Sequence, residues 1–283
     1  MEIIDIHPHV ISADTARYPY DPVGGKMSDW AKERPVTCEE LLAFMDAAGI
    51  GRAAIVHSST TYGYDNSYAA DCVAAHPERL AFVGAVDVRA PDAPERITYW
   101  VRERGMAGLR IFAAGSTMDE NSGEWLDDPK TFPAWACARD LGISVCVQMR
   151  AKEFPRLRTL LDRFPEIKVL IDHFAHAPTA DGPPYEQARE FFDLAKRPNV
   201  YLKLTERVFT NTTKGNATTE SFLRRTVAEF GSDRIAWGSN FPASEGSLQE
   251  LLDLAVRGIA FLPESDRAAI MSGTARTLYP VLD

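Results

Sequence analysis

The sequence predicts a (β/α)8 barrel, a closed ring of eight parallel strands surrounded by helices, and two observations lead to this fold class. Short apolar runs alternate eight times with amphipathic segments along the chain. These runs are apolar throughout instead of alternating with polar residues, which indicates an all-parallel sheet that is covered on its outer face. The length of 283 residues suits one barrel, and we assign residues 1–283 to a single domain.

A doubly wound open sheet is the alternative fold. It would need a glycine-rich phosphate turn after the first strand, whereas this chain has His7-Pro8-His9-Val10 there. The barrel also predicts where the chemistry lies, because the catalytic residues of such barrels follow the C-terminal ends of the strands. We therefore expect polar side chains to gather at that rim.

Turn and capping signals place the elements in order. Strands are predicted at residues 2–9, 52–57, 80–88, 107–112, 143–149, 168–173, 200–205 and 234–240. Helices are predicted at residues 38–48, 67–76, 94–104, 133–141, 154–164, 186–196, 219–230, 247–256 and 264–278. The first helix begins with a capping box, Thr37-Cys38-Glu39-Glu40, and ends at Gly49. Residues 12–36 are predicted to form a long functional loop that places Trp30 in a pocket wall.

The composition excludes some classes of function. A net charge of -9 argues against nucleic acid, which needs a basic surface. No apolar run approaches the roughly 18 residues of a membrane span, so we expect no membrane partner. Four widely spaced cysteines indicate reduced thiols in a cytoplasmic protein. A homo-oligomer is compatible with the sequence.

Polar residues follow the predicted strands, as a barrel enzyme requires. His7 and His9 end the first strand on one face with Asp5, while Ile4 and Ile6 are expected on the opposite face. Later strand ends carry His57, Ser59, Asn66, Arg110, Gln148, Asp172, His173, Lys203, Glu206, Arg207 and Asn240. Substrate contacts are predicted for His57, Ser59, Asn66, Gln148, Arg110 and Arg207.

Arg110 and Arg207 are the predicted carboxylate-binding residues. Two arginines that converge on one rim favour bidentate binding of substrate carboxylates. Each of them has an alternative, which is an ion pair with a buried carboxylate such as Asp87 or Glu206. Lys203 has two interpretations as well, since it would either neutralise Asp172 or contact the substrate.

A set of sequence motifs, taken in their order along the chain, resembles the amidohydrolase superfamily. The resemblance is to its amidohydrolase-related branch in particular, which contains the pyrone-dicarboxylate lactonase. The resemblance covers essentially the whole chain. It rests on residues 5–9, 18–20, 56–60, 65–66, 108–112, 171–173, 201–207 and 237–242. It implies that the first-strand histidines, the sixth-strand histidine His173 and an eighth-strand aspartate form the active site. It also implies that arginines matching Arg110 and Arg207 hold substrate carboxylates.

Asn240 departs from that pattern. The branch has an aspartate in the motif that reads Gly238-Ser239-Asn240-Phe241-Pro242 here. A neutral amide accepts no proton at a useful pH, but it orients water or donates a hydrogen bond to an oxyanion. The general base would then be His173, His57 or Glu206.

A metal site is the second open question. His7, His9 and His173 would supply three nitrogen ligands and leave a position for water, which is typical of a catalytic zinc site. The binuclear members of the superfamily add a lysine or histidine on the fifth strand, where this chain has Val147-Gln148-Met149. We therefore predict at most one divalent ion, zinc or manganese. A metal-free site, in which the histidines act directly on a carbonyl, is the alternative implied by the lactonase resemblance.

The leading hypothesis is a hydrolase that opens a lactone or similar ester-like bond in a small carboxylated substrate of the kind formed in aromatic catabolism. His7, His9, His173 and Asn240 would be the catalytic residues. A metal-dependent, non-oxidative decarboxylase of an aromatic acid is the second hypothesis. The third is a catalytically impaired barrel that serves as a partner subunit, since Asn240 replaces the usual aspartate.

Overall fold

Eight parallel strands form one sheet in which each strand pairs with its neighbours in sequence. The computed structural model describes residues 2–115, 117–118 and 122–283. The strands are β1 (Ile4–Asp5), β2 (Arg52–Val56), β3 (Leu80–Ala85), β4 (Gly108–Phe112), β5 (Ser144–Gln148), β6 (Val169–Ile171), β7 (Val200–Leu204) and β8 (Ile235–Trp237). A doubly wound sheet would have a permuted strand order, so the sequential order favours a barrel.

The sheet is closed by hydrogen bonds between the segments that contain its first and last strands. The backbone N–H of Ile6 donates to the carbonyl oxygen of Trp237 at 3.3 Å. The N–H of His9 donates to the carbonyl oxygen of Phe241 at 2.8 Å. The predicted (β/α)8 barrel is therefore confirmed.

Helices alternate with the strands along the chain. They are α1 (Asp29–Glu33), α2 (Cys38–Ala48), α3 (Ser59–Tyr62), α4 (Ser67–Ala75), α5 (Ala93–Arg102), α6 (Phe132–Leu141), α7 (Phe154–Arg163), α8 (Arg189–Asp193), α9 (Glu206–Asn211), α10 (Thr219–Phe230), α11 (Leu248–Gly258), α12 (Glu264–Ala268) and α13 (Thr274–Leu278). No helix in the described part of the chain is both long and apolar enough to cross a membrane.

The predicted capping box at the start of α2 is present. The Thr37 hydroxyl accepts a hydrogen bond from the backbone N–H of Glu40 at 3.3 Å. The Thr37 N–H donates to the Glu40 carboxylate at 2.8 Å. Gly49 ends the helix with φ of 69°, a left-handed conformation that glycine adopts without steric cost.

Two apolar layers lie on the two faces of the sheet. The outer layer packs alternate strand residues, such as Ile55, Val147 and Leu202, against the helices. The inner layer contains Ile4 and Ile6 of the first strand segment and small strand residues of the barrel interior. It is closed by the C-terminal segment through Leu278, Tyr279 and Leu282. The interior is therefore a packed core, as it is in other barrels of this class.

The first strand is shorter than predicted, and its faces differ from the prediction. Strand pairing ends at Asp5, whose carboxylate Oδ1 accepts hydrogen bonds from the backbone N–H groups of His7 and Ser239 at 2.9 and 2.8 Å. Pro8 has no N–H to continue the ladder. Strict alternation therefore does not extend to His7, and Ile6 lies in the interior core below it.

Other segments also differ from the prediction, among them β6 and β8, which end at Ile171 and Trp237. Residues 186–196 divide into α8 and two flanking 3-10 turns. Residues 264–278 contain a π-helical turn between α12 and α13, where the Ser272 hydroxyl donates to the Ala268 carbonyl at 3.2 Å. Such side-chain bonds to the preceding turn compete with regular helical bonding. The predicted loop at residues 12–36 contains the short helix α1.

Candidate active site

A cavity of about 610 Å³ lies at the C-terminal ends of the strands, where a barrel enzyme has its active site. The predicted site residues on its lining are His9, Ser59, Arg110, Gln148, His173, Arg207 and Asn240. Trp30 lines it as predicted and stacks on the His9 ring at 5.1 Å between centroids. His7, His57 and Asn66 are buried outside the lining.

The three predicted catalytic histidines lie together. The ring centroid of His7 is 4.9 Å from that of His9 and 5.0 Å from that of His173. All three side chains are buried. Residues that follow β1 and β6, which are distant in sequence, therefore form one imidazole cluster.

Hydrogen bonding fixes the tautomer of His9. Its Nδ1 lies 2.7 Å from the carbonyl oxygen of Val56. A carbonyl oxygen only accepts, so Nδ1 carries the proton and Nε2 keeps its lone pair. Burial, and then the charge of Arg110, lower the pKa of His9 to about 3, so the ring is neutral at pH 7.

His7 has two buried ring nitrogens that make no hydrogen bond among the described residues. Its Nδ1 lies 3.6 Å from the Asp172 carboxylate. Burial, and then the charge of Lys203, hold the pKa of His7 well below its usual value. Buried polar atoms without a partner are rare in proteins. The neutral His7 ring is thus available to a bound ligand or ion.

The compact set of metal-ligating atoms differs from the predicted one. Atoms of His7, Asp172 and His173 lie within 4.8 Å of one another. His9, predicted as the third ligand, does not belong to this set. Its Nδ1 is bonded to the Val56 carbonyl and its ring stacks on Trp30 at the cavity. Asp172, which the sequence places at the end of the same strand as His173, was not among the predicted ligands.

Asp172 is the centre of a buried charge network inside the barrel. Lys203 Nζ contacts its Oδ1 at 2.8 Å, and Arg110 Nε contacts its Oδ2 at 3.4 Å. The Cys146 thiol donates to Oδ1 at 3.0 Å. Although burial opposes ionisation, the two cations hold the pKa of Asp172 below its usual value. Of the two interpretations of Lys203, neutralisation of Asp172 is thus the observed one.

Arg110 and Arg207 are not equivalent. Arg110 is buried, and its guanidinium donates to Asp172, to the Gln148 side chain and to the His57 carbonyl oxygen. Its anionic partner is Asp172 and not Asp87 or Glu206, the two that the sequence suggested. Arg207 is exposed on the cavity wall and has no ion pair among the described residues.

The cavity lining is cationic. Arg110, Arg150, Lys152 and Arg207 line it, and the described lining contains no aspartate or glutamate. Neither Arg150 nor Lys152 was assigned a role from the sequence, although both lie just after β5, where a barrel places its functional side chains.

His57 and Asn66, two predicted substrate contacts, lie outside the cavity lining and are held by hydrogen bonds within the protein. His57 Nε2 donates to the Gly63 carbonyl at 2.9 Å, and burial lowers the pKa of His57 to about 4. The Asn66 amide accepts from the N–H of Ala85 at 2.8 Å and donates to its carbonyl at 2.9 Å. By contrast, Ser59 lines the cavity with a buried hydroxyl that has no partner among the described residues.

Asn240 lines the cavity in a left-handed backbone conformation, with φ of 58°. Its Nδ2 donates to the Ser244 hydroxyl at 2.8 Å. That hydroxyl donates to the Glu206 carboxylate at 3.2 Å. Glu206, a predicted candidate for the general base, is therefore connected to Asn240 through one serine.

The fold and this site define a barrel enzyme whose polar centre, a histidine cluster, lies at the C-terminal strand ends. The chain belongs to the amidohydrolase family, since the profile described as "Amidohydrolase" matches residues 4–281. The resemblance seen in the sequence motifs is confirmed by this match.

Relatives and solved structures agree with the family. The chain is 31% identical over 214 residues to an L-fucono-1,5-lactonase of Burkholderia ambifaria, which covers 74% of this chain and 70% of the relative. It is 29% identical over 251 residues to a 4-sulfomuconolactone hydrolase of Hydrogenophaga intermedia, and this match covers 85% of this chain and 74% of the relative.

Two solved structures share the fold over nearly the whole chain. A Pseudomonas putida protein assigned as a 2-pyrone-4,6-dicarboxylic acid hydrolase superposes with a TM-score of 0.78 and 20% identity. The superposition covers 99% of this chain and 98% of that protein. A zinc-bound amidohydrolase of Burkholderia multivorans superposes with a TM-score of 0.77, 20% identity and coverage of 99% and 99%.

The buried neutral His57 predicts a pH dependence of stability. Its pKa is about 4 in the folded protein against 6.5 for a free side chain. Between these two pH values the unfolded chain binds more protons at His57 than the folded protein does. The free energy of unfolding that His57 contributes is therefore present in full above pH 6.5 and is lost as the pH falls toward 4. The loss from this residue is on the order of 3 kcal/mol.

The measurement is the free energy of urea unfolding at pH 7 and pH 4 for wild type and His57→Gln. Glutamine keeps a donor for the Gly63 carbonyl but does not titrate, and the other histidines are common to both proteins. Wild type should lose more stability than the variant over this interval. Equal losses in both proteins would contradict the assignment of a neutral, buried His57.

Proposed function

We propose that this protein hydrolyses a lactone or a similar ester-like bond in a small carboxylated substrate. The observation that carries the proposal is the cationic cavity lining in a chain whose net charge is -9. A cationic pocket inside an acidic protein selects anionic ligands by local charge. The family membership and the two lactone-hydrolysing relatives support the type of reaction.

Arg207 is the better placed of the two predicted arginines to bind the substrate carboxylate. Its guanidinium has no ion pair among the described residues, so its donors are available to a ligand. Arg110 is held by Asp172 at the cavity wall and adds positive charge from a fixed position. The unpartnered hydroxyl of Ser59 supplies a further polar contact on the same lining.

In the proposed reaction, a water oxygen attacks the lactone carbonyl carbon and the ring C–O bond breaks, which gives a hydroxy acid. His9 Nε2, which has the lone pair, accepts the proton of the water and returns it to the leaving oxygen. Asn240 Oδ1 accepts a hydrogen bond from the attacking water and orients it.

The residues present fit a single divalent ion. His7 has two unpartnered buried ring nitrogens, and with His173 and Asp172 it forms a compact donor set. Both histidines are neutral because burial holds their pKa values low, as metal ligation requires. A donor set rich in imidazole favours zinc over manganese. When bound, the ion would polarise the lactone carbonyl and lower the pKa of water.

The metal assignment predicts the metal content of the purified protein. Wild type should contain about one equivalent of zinc, and His7→Ala should lose most of it because only two ligands, His173 and the Asp172 carboxylate, would remain. His176→Ala is the matched control, since His176 lies 5.7 Å from the His173 ring and outside the donor set. Elemental mass spectrometry gives the content. Zinc retained in His7→Ala, or absent from wild type, would contradict the assignment.

The role of Arg207 predicts a loss of substrate binding. Arg207→Met should raise KM for a carboxylated lactone about 10- to 100-fold, the effect of losing a charged hydrogen bond, with a smaller change in kcat. Arg102→Met removes the same charge from an exposed position outside the cavity lining and should leave KM unchanged.

A matched pair of substrates separates charge recognition from a general defect in the Arg207→Met enzyme. The lactone is compared with its methyl ester, which has the same ring but no negative charge. The variant should discriminate less between the two than wild type does. An unchanged preference for the carboxylate would remove Arg207 from the binding site.

A further inference from the structure

We propose that Glu206 is a positioning residue, which orients the amide group of Asn240 through the hydroxyl of Ser244. The role of Asn240 rests on the proposed function, whereas the contacts do not. Asn240 and Ser244 are only 3% and 4% exposed. The hydrogen bonds between Asn240 Nδ2 and Ser244 Oγ and between Ser244 Oγ and Glu206 Oε2 are 2.8 and 3.2 Å long.

The chemistry of the three groups fixes the direction of each bond. An ionised carboxylate only accepts, so the single hydroxyl proton of Ser244 goes to Glu206. Ser244 must then accept a hydrogen bond from Asn240, which places the amide nitrogen toward the serine. The amide oxygen is left for the cavity that Asn240 lines. The carboxylate thus makes the amide an acceptor toward water.

Other contacts hold the three residues in place whichever way the amide is turned. The Thr210 hydroxyl donates to the second oxygen of the Glu206 carboxylate. The backbone N–H of Ser244 donates to the Asn240 carbonyl oxygen at 2.7 Å. Reversing donor and acceptor in the side-chain hydrogen bonds therefore leaves the backbone hydrogen bond intact.

This arrangement explains why an asparagine suits position 240 in this chain. An aspartate there would place a second carboxylate beside the Ser244 hydroxyl, which has only one proton to donate. The two carboxylates, from Glu206 and from position 240, would compete for that proton. Asn240 and Glu206 are therefore complementary, one supplying the donor and the other the acceptor.

The first test is independent of any substrate. In protein labelled with 15N-asparagine, the side-chain NH2 signals of Asn240 are assigned by their loss in Asn240→Asp. Glu206→Leu and Ser244→Ala should both shift these signals, because the first removes the acceptor that orients the Ser244 hydroxyl and the second removes the hydroxyl itself. Glu245→Leu, an identical change at an exposed neighbour, should leave them in place. Signals unmoved in Glu206→Leu would overturn the proposal even if lactone hydrolysis is established.

The second test uses the turnover of a carboxylated lactone. Glu206→Gln should lower kcat about tenfold with KM nearly unchanged, because the amide is free to turn its donor toward the water. The double variant Glu206→Gln/Asn240→Asp reverses both bonds, so that glutamine donates to serine and serine to aspartate. It should have a kcat at least several-fold above that of Asn240→Asp. A double variant no faster than Asn240→Asp would overturn the proposal. Absence of turnover in wild type would contradict the proposed function while the NMR result stands.

Discussion

The buried carboxylate of Asp172 is the group on which the rest of the site depends. An ionised group inside a barrel is stable only when it is paired, because burial costs it its hydration. Lys203 from β7 and Arg110 from β4 supply the two cations, at 2.8 and 3.4 Å. The network therefore joins strands that are not neighbours and sets the position of Arg110 at the cavity wall.

The same network sets the charge state of the histidines. After burial, the positive charges of Lys203 and Arg110 are among the causes that lower the pKa values of His7 and His9. The rings are consequently neutral at pH 7, which is the state required of a proton acceptor or a metal ligand. Neutral imidazoles beside a cationic wall form a site that is suited to a substrate with one anionic end and one electrophilic carbonyl.

The sequence was sufficient to predict the strands and the polar residues at their C-terminal ends, but not the ion pairs and hydrogen bonds between side chains of different strands. Apolar runs and capping signals predicted the eight strands and the start of α2, because these depend on local patterns. The partner of Arg110 depends on the relative positions of β4 and β6 in the closed ring, which no local pattern contains. Asn66 shows the same limit. Its place after β2 suggested a substrate contact, whereas its amide is hydrogen-bonded to the backbone N–H and carbonyl oxygen of Ala85.

The central claim is that the cavity adds water to the carbonyl of an anionic lactone. Incubation with a carboxylated lactone in H2(18)O, followed by mass spectrometry of the product, tests it directly. We predict a ring-opened hydroxy acid that contains one 18O atom in its new carboxylate and retains all of its carbon. A product that has lost CO2 and contains no 18O would contradict the claim and favour decarboxylation.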